Sequence, residues 1–186
     1  MTSNDNIDLG QLSGGNVMSQ SRFLASLSAL GVAAALILST QPASAESMVE
    51  RGKYLVTIAS CNDCHTPGYF LGKPDMKSFL GGSDVGFELP GLGTFVGRNI
   101  TPDKDTGIGN WTVPQIVAAL QTGRRPDGRE LAPIMPWRAF ANFTKKDARA
   151  IAMFLKTIPA IKHAVPGPFG PNEKAPVFVM KVVPPG

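Results

Sequence analysis

An all-α fold of three to five helices gathered around one short cysteine-bearing segment is what this sequence predicts, and three observations carry it. Both cysteines of the chain stand in a single pentapeptide, Cys61-Asn62-Asp63-Cys64-His65. Three stretches, around residues 48–59, 113–122 and 144–157, repeat apolar side chains at helical spacing. The chain between them is rich in Gly and Pro and offers one pair of short strand-like runs, a candidate β-hairpin. Beyond Ile158 the prolines rule out a further helix and predict an extended strap.

The domain boundaries follow from composition. Phe23 to Leu38 is an apolar run preceded by Arg22 and followed by Ala43-Ser44-Ala45, a small-x-small cleavage pattern. Residues 1–45 therefore read as a signal peptide. Asp5 and Asp8 do not suit a basic leader, so Met18 is an alternative start. The run has 16 residues, short of the roughly 20 that span a bilayer, so no membrane span is expected after cleavage. Residues 46–159 then form one domain and 160–186 a proline-rich extension. After cleavage, 17 basic and 12 acidic side chains leave a charge of +5. No Lys/Arg run or interleaved aromatic stripe supports nucleic-acid binding. Export points to the periplasm of a Gram-negative bacterium, where two free thiols would be open to oxidation unless otherwise engaged.

In chain order, the first helix spans about Met48 to Ala59, with Val49, Gly52, Val56 and Ala59 on one face. Gly52 would let a second helix approach closely. This helix delivers the chain to Cys61. C-x-x-C-H is the attachment pattern of a c-type haem. Two thiols one helical turn apart can each add to a haem vinyl group, and the next histidine is held under the iron. A thioredoxin-like site would need a strand before Cys61, where the pattern is helical. A zinc site would need about four ligands, and only His163 remains as a ready further one.

Pro67 lies just after His65, and its carbonyl is a candidate acceptor for the imidazole N–H that faces away from iron. From Gly68 to Asn110 the chain is too long for a bare loop, and packing on a macrocycle would explain it. Within it, Phe87–Leu89 and Thr94–Val96 flank Pro90-Gly91-Leu92-Gly93 as the candidate hairpin. Thr112 and Gln115 form a capping box for a helix from Val113 to Thr122, which Gly123 stops. Trp111, just before it, is placed either to donate its indole N–H to a haem propionate or to staple onto the helix. Arg124, Arg125 and Arg129 make a basic turn, read as a solvated loop or as a docking rim for an acidic partner. Met135, between Pro133 and Pro136, is a soft donor in a stiffened loop and a candidate sixth ligand. His163 is the alternative, which would give a bis-histidine haem. A last helix starts at Thr144 and carries Ala148, Ile151, Ala152 and Leu155 on one stripe that could cross the Gly52 face.

These residues carry a resemblance. With Cys61 to His65 stand Asn99-Ile100-Thr101-Pro102-Asp103, Thr106-Gly107-Ile108-Gly109 before Trp111-Thr112, and Leu131-Ala132-Pro133-Ile134-Met135-Pro136. Up to about Pro159 the chain resembles the class I cytochromes c, most closely the single-haem domains in the cytochrome subunits of bacterial membrane-bound alcohol and gluconate dehydrogenases. The resemblance implies a small all-α haem fold with one covalent haem c, His65 and Met135 as axial ligands, and no catalysis of its own. It implies single-electron transfer between a dehydrogenase or respiratory donor and an acceptor, with redox proteins as partners. A haem subunit of a larger dehydrogenase complex is the alternative, and a haem peroxidase or gas binder a more distant one. Those subunits carry three haem motifs where this chain has one, and the tail here is longer than the domain needs.

Overall fold

Helix α1 (Met48–Ile58) begins at Ser47, whose hydroxyl accepts the Glu50 N–H while the Glu50 carboxylate accepts the Ser47 N–H. This reciprocal cap satisfies two donors that a helix start leaves open. The computed structural model describes residues 46–181 and Val183. The expected signal peptide and the alternative start at Met18 lie outside the described residues. After α1 come α2 (Cys61–His65), α3 (Val113–Thr122), α4 (Trp137–Phe140) and α5 (Lys145–Leu155), with 3₁₀ turns at Tyr69–Leu71 and Met76–Ser78.

The expected crossing of the first and last helices is present and depends on Gly52. A Cβ at Gly52 would stand 2.1 Å from the Ala150 carbonyl oxygen and 2.7 Å from Phe154 Cβ. Only a residue without a side chain permits that approach. Thr144 caps α5 by accepting the Asp147 N–H at 3.0 Å, and Arg51 Nε donates to Asp147 Oδ1 at 3.0 Å, tying α1 to the start of α5. Helix α3 has the expected box between Thr112 and Gln115 and ends on Gly123 at φ 71°. Leu55 and Val56 of α1, Ile116 and Leu120 of α3, and Ile151 and Leu155 of α5 form one buried cluster with Cys61. Each of these aliphatic side chains contributes about 1.5–3 kcal/mol of burial free energy.

The all-α expectation needs correction at the other end of the domain. The predicted hairpin is there as β1 (Val85–Leu89) and β2 (Gly93–Val96), antiparallel with Phe87 opposite Phe95. A third strand, β3 (Phe178–Lys181), lies parallel to β1 on its other side, with Val85 beside Phe178 and Phe87 beside Met180, so the sheet order is β2-β1-β3. Its pairing spans most of the domain in sequence, which local periodicity does not reveal. The proline-rich segment is thereby laid on the domain. Ile161 donates its N–H to Thr101 Oγ1 at 3.0 Å, His163 donates to Thr106 Oγ1 at 2.9 Å, and Phe169 exchanges backbone bonds of 3.0 and 2.9 Å with Thr94. Val165 is buried.

Candidate functional site

The site is built outward from α2. Ser60, in the left-handed region at φ 54°, turns the chain sharply out of α1 so that α2 starts at once. Cys61 and His65 face inward and are buried, while Cys64 is half-buried, and both thiols are free. The segment Gly97-Arg98 runs against α2 so closely that a Cβ on Gly97 would fall 1.6 Å from the Cys64 carbonyl oxygen. That approach brings the Arg98 carbonyl to 2.6 Å from His65 Nδ1. A carbonyl can only accept, so Nδ1 carries the proton and Nε2 keeps its lone pair. The Gly82 N–H donates to the His65 carbonyl at 2.8 Å from the opposite side.

The acceptor expected for His65 was Pro67, and the structure replaces it with Arg98. The Pro67 carbonyl instead accepts the Asp75 N–H at 2.9 Å. The reason is local: Thr66 is buried and its hydroxyl accepts the Leu80 N–H at 2.9 Å, which swings the following Pro67-Gly68 turn away from the imidazole. Nothing in the side chain of Arg98 announces a main-chain role. The available signal was Gly97 before it, since an isolated glycine next to a strand pattern marks a close backbone approach.

Cys61, Cys64 and His65 line a cavity of about 580 Å³, and so does Met135. Ile100, Ile108, Ile116, Leu120, Ile151 and Leu155 supply apolar wall; Trp111 lies on it too, with its indole under the Arg125 guanidinium at 5.9 Å. The other described methionines fall elsewhere. Met48 packs on the core at the start of α1, Met76 and Met180 are exposed, and Met153 sits in α5 away from the lining. His163 is half-buried with Nδ1 2.8 Å from the Gly81 carbonyl, facing a separate hollow beside Pro67 and Asp84. The structure thus brings Cys61, Cys64, His65, Trp111 and Met135 to one space and leaves Pro67 and His163 outside it. Missed by sequence reasoning were Arg98, Arg125 as part of the wall, and the strap residues Ala164, Val165 and Pro168, which also line it.

The electrostatics divide the cavity in two. Burial pushes the Cys61 thiol up to about 12, and raises Cys64 with help from the Asp63 charge. Burial lowers His65, opposed by its bond to the Arg98 carbonyl. Thiols and imidazole are therefore neutral near pH 7. The opposite character belongs to Arg98 and Arg125, both lowered chiefly by burial, Arg98 also by the charges of Arg125 and Arg129. Arg125 Nε is buried without an acceptor. An apolar disc bearing two carboxylates meets these features: apolar wall for the ring, an unpaired buried N–H and guanidinium charge for the acids, two thiols and a free imidazole nitrogen at one side. The residues present fit a haem, and the cavity volume lies in the usual range for cofactor sites.

No family model matches the chain. It is 36% identical over 135 residues to the fructose dehydrogenase cytochrome subunit of Gluconobacter japonicus, covering 69% of this chain and 26% of that protein. It is 37% identical over 109 residues to the cytochrome c subunit of the quinone alcohol dehydrogenase of Gluconobacter oxydans (strain 621H), covering 59% of this chain and 21% of that one. A diheme cytochrome c-type protein of Cereibacter sphaeroides is 32% identical over 114 residues, covering 61% of this chain and 37% of the relative. The chain spans about a quarter of the length of the dehydrogenase subunits it matches. Its C-x-x-C-H helix, its cavity and these similarities agree: the chain resembles the c-type cytochrome subunits of bacterial dehydrogenases, proteins of haem-based electron transfer.

Proposed function

We propose that this chain carries single electrons in the periplasm through one haem c, joined by thioethers to Cys61 and Cys64 and ligated by His65 and Met135. The observation that carries the reading is the single cavity lined by both cysteines, His65 and Met135. When bound, the haem would supply an iron able to take up and give up one electron, and His65 and Met135 would hold it. The chain's own contribution is positional. The Arg98 carbonyl holds the His65 tautomer with Nε2 free, and the wall formed by Ile116, Leu120, Ile151 and Leu155 excludes water. Arg125 offers charge and an unpaired N–H to a propionate, beside Trp111. Periplasmic placement is supported by the apolar run Phe23–Leu38 with its small-residue cleavage pattern.

Similarity to dehydrogenase subunits favours a second form of the same reading, in which the chain is the haem-bearing part of a dehydrogenase complex and not a free carrier. Spectra of the purified protein in both oxidation states, with and without carbon monoxide, test the site. One haem per chain, resistant to acid–acetone extraction, a near-infrared sulfur-to-iron band in the ferric form and no carbon monoxide binding near neutral pH are expected. Extractable haem, or ready binding of carbon monoxide, overturns the ligand set. The size of the native species in a cell extract separates carrier from subunit.

A further inference from the structure

We propose that Arg98 is a positioning residue that couples the C-terminal strap to His65, its carbonyl holding the imidazole while its guanidinium holds the strap at Val165–Gly167. The inference rests on the haem reading above and concerns what sets the state of that haem's histidine.

The backbone of residue 98 is held from both sides. Gly97 lies against the Cys64 carbonyl, and Asn99 is buried, accepting the Thr101 N–H at 2.9 Å and donating to the Ile161 carbonyl at 2.6 Å. From this fixed point the side chain reaches the strap. Arg98 Nη1 donates to the Val165 and Pro166 carbonyls and Nη2 to the Gly167 carbonyl. Three neutral acceptors orient a guanidinium fork without cancelling its charge, which a single ammonium could not reproduce. The strap also bears on His65 by a second route. The Val165 side chain fills the space where a Cβ on Gly82 would stand, at 2.2 Å, and the Gly82 N–H is the one that donates to the His65 carbonyl. Both groups that brace His65 from outside α2 are thus in contact with residues 165–167.

A partner of the metal-facing imidazole sets its orientation and basicity. A firm Nδ1–H bond makes the imidazole a stronger donor and favours ferric iron, and a looser one favours ferrous. Anything that shifts the strap, such as a binding partner at the exposed edge beyond β3, would therefore be read at the iron.

The experiment uses the full-length holoprotein and two readouts: the solvent exchange rate of the His65 Nδ1 proton by NMR, and a redox titration. Arg98→Lys keeps the charge but cannot span three carbonyls. It should speed Nδ1 proton exchange about tenfold and raise the ferrous-to-ferric ratio at fixed potential about threefold, roughly 28 mV at 59 mV per tenfold change for one electron. Val165→Ala, which removes the side chain packed on Gly82, should move both readouts in the same direction by less. The double variant should fall short of the sum of the two, because both loosen the same strap segment, residues 165–167. Unchanged Nδ1 exchange in Arg98→Lys, or strict additivity in the double variant, overturns the proposal. Should Arg98→Lys take up no haem, Val165→Ala decides alone, and unchanged exchange there overturns it. A wild type without covalent haem would instead defeat the functional reading itself.

Discussion

The two walls of the cavity are built on different principles. On the α2 side, His65 is buried and braced by the Arg98 carbonyl and the Gly82 N–H, and Gly97 admits backbone where no other residue could. On the Met135 side, the loop Leu131–Pro136 is held by local backbone bonds: the Leu131 N–H to the Gly123 carbonyl at 2.8 Å, the Met135 N–H to the Ala132 carbonyl at 2.9 Å, and the Met135 and Pro136 carbonyls accepting from the start of α4. Ile134 there is 41% exposed, and Pro133 and Pro136 are exposed. Proline stiffness adds to these local hydrogen bonds on this side. His65 is therefore fixed by contacts from distant segments of the fold, and Met135 is carried by a short loop with local bonds and flanking prolines.

Damage to the two walls should have unequal consequences, and the α2 side should be the more costly. Cys61→Ala with Cys64→Ala removes both thiols proposed to bind the haem, and the cavity beside α2, α3 and α5 then has nothing covalent to fill it. Apolar walls around an open space of this size cannot close on themselves in so small a domain. The double variant should yield at most about a tenth of the wild-type holoprotein on a peroxidase-activity haem stain of a denaturing gel. Normal accumulation of a folded, haem-free double variant would break the reading of the whole site.

Met135→Ala tests the other wall and should leave covalent haem in place, because Cys61, Cys64 and His65 are untouched. The ferric protein should lose its near-infrared band, and the ferrous protein should bind carbon monoxide. Thioether favours ferrous iron, so the reduction potential should fall, and Met135→His should keep six-coordination at a lower potential. An intact near-infrared band in Met135→Ala would move the sixth ligand elsewhere and erase the contrast between the walls.

How much of this was legible depended on how local the cause is. Helices α1, α3 and α5 each carry a cap and an apolar stripe within a dozen residues, and the crossing at Gly52 could be anticipated because a glycine on a buried face has few other uses. The convergence of Cys61, Cys64 and His65 on one cavity was legible because positions i, i+3 and i+4 share one face of a helix. Strand β3 was not, since Val177 to Met180 alternates no more clearly than any short apolar run and becomes a strand only by pairing with β1. Arg98 was illegible for a different reason: it acts at His65 through a main-chain oxygen, which every residue type possesses. The long irregular stretch from Gly68 to Asn110 was explained in advance by the macrocycle alone, yet much of its support is the strap bonding to Thr94, Asn99, Thr101 and Thr106.

The braced wall also has an acid-sensitive support, because α1 leads directly into α2 and is tied to α5 by Arg51 and Asp147. The Arg51 guanidinium, and then the Thr144 hydroxyl, hold the Asp147 carboxyl below its ordinary value. A carboxylate with a lowered folded-state value contributes stability that is full above the unfolded value of about 3.9 and is lost as pH falls through the lower folded value. Asp147→Asn should therefore melt roughly 2 °C below wild type at pH 7, a small effect because the pair is partly exposed. The gap should close as pH is taken below about 4. A gap that persists at pH 2.5, or widens, would mean that Asp147 acts through its cap at α5 and not through its charge.

The smallest effect is expected at the rim beside the Met135 wall. Arg124, Arg125 and Arg129 were expected to form either a solvated loop or a docking rim for an acidic partner, and the structure sets two acids among them. Asp127 Oδ2 lies 3.2 Å from Arg125 and 2.7 Å from Arg129, and Glu130 faces Arg138 at 3.8 Å. Three arginines against Asp127 and Glu130 leave the 124–130 loop a net charge of only +1. Arg125 lines the cavity, so altering it would also alter the proposed haem site, and the informative change is Arg124→Gln with Arg129→Gln. Removing both charges turns the loop net negative, and electron transfer to an acidic acceptor at low ionic strength should slow about twofold to fivefold while the spectrum stays fixed. At 0.5 M salt, where the screening length is well under about 8 Å, variant and wild type should converge. Equal rates at low salt would show that the partner approaches elsewhere, and the exposed sheet edge at β3 would then be the face to test next.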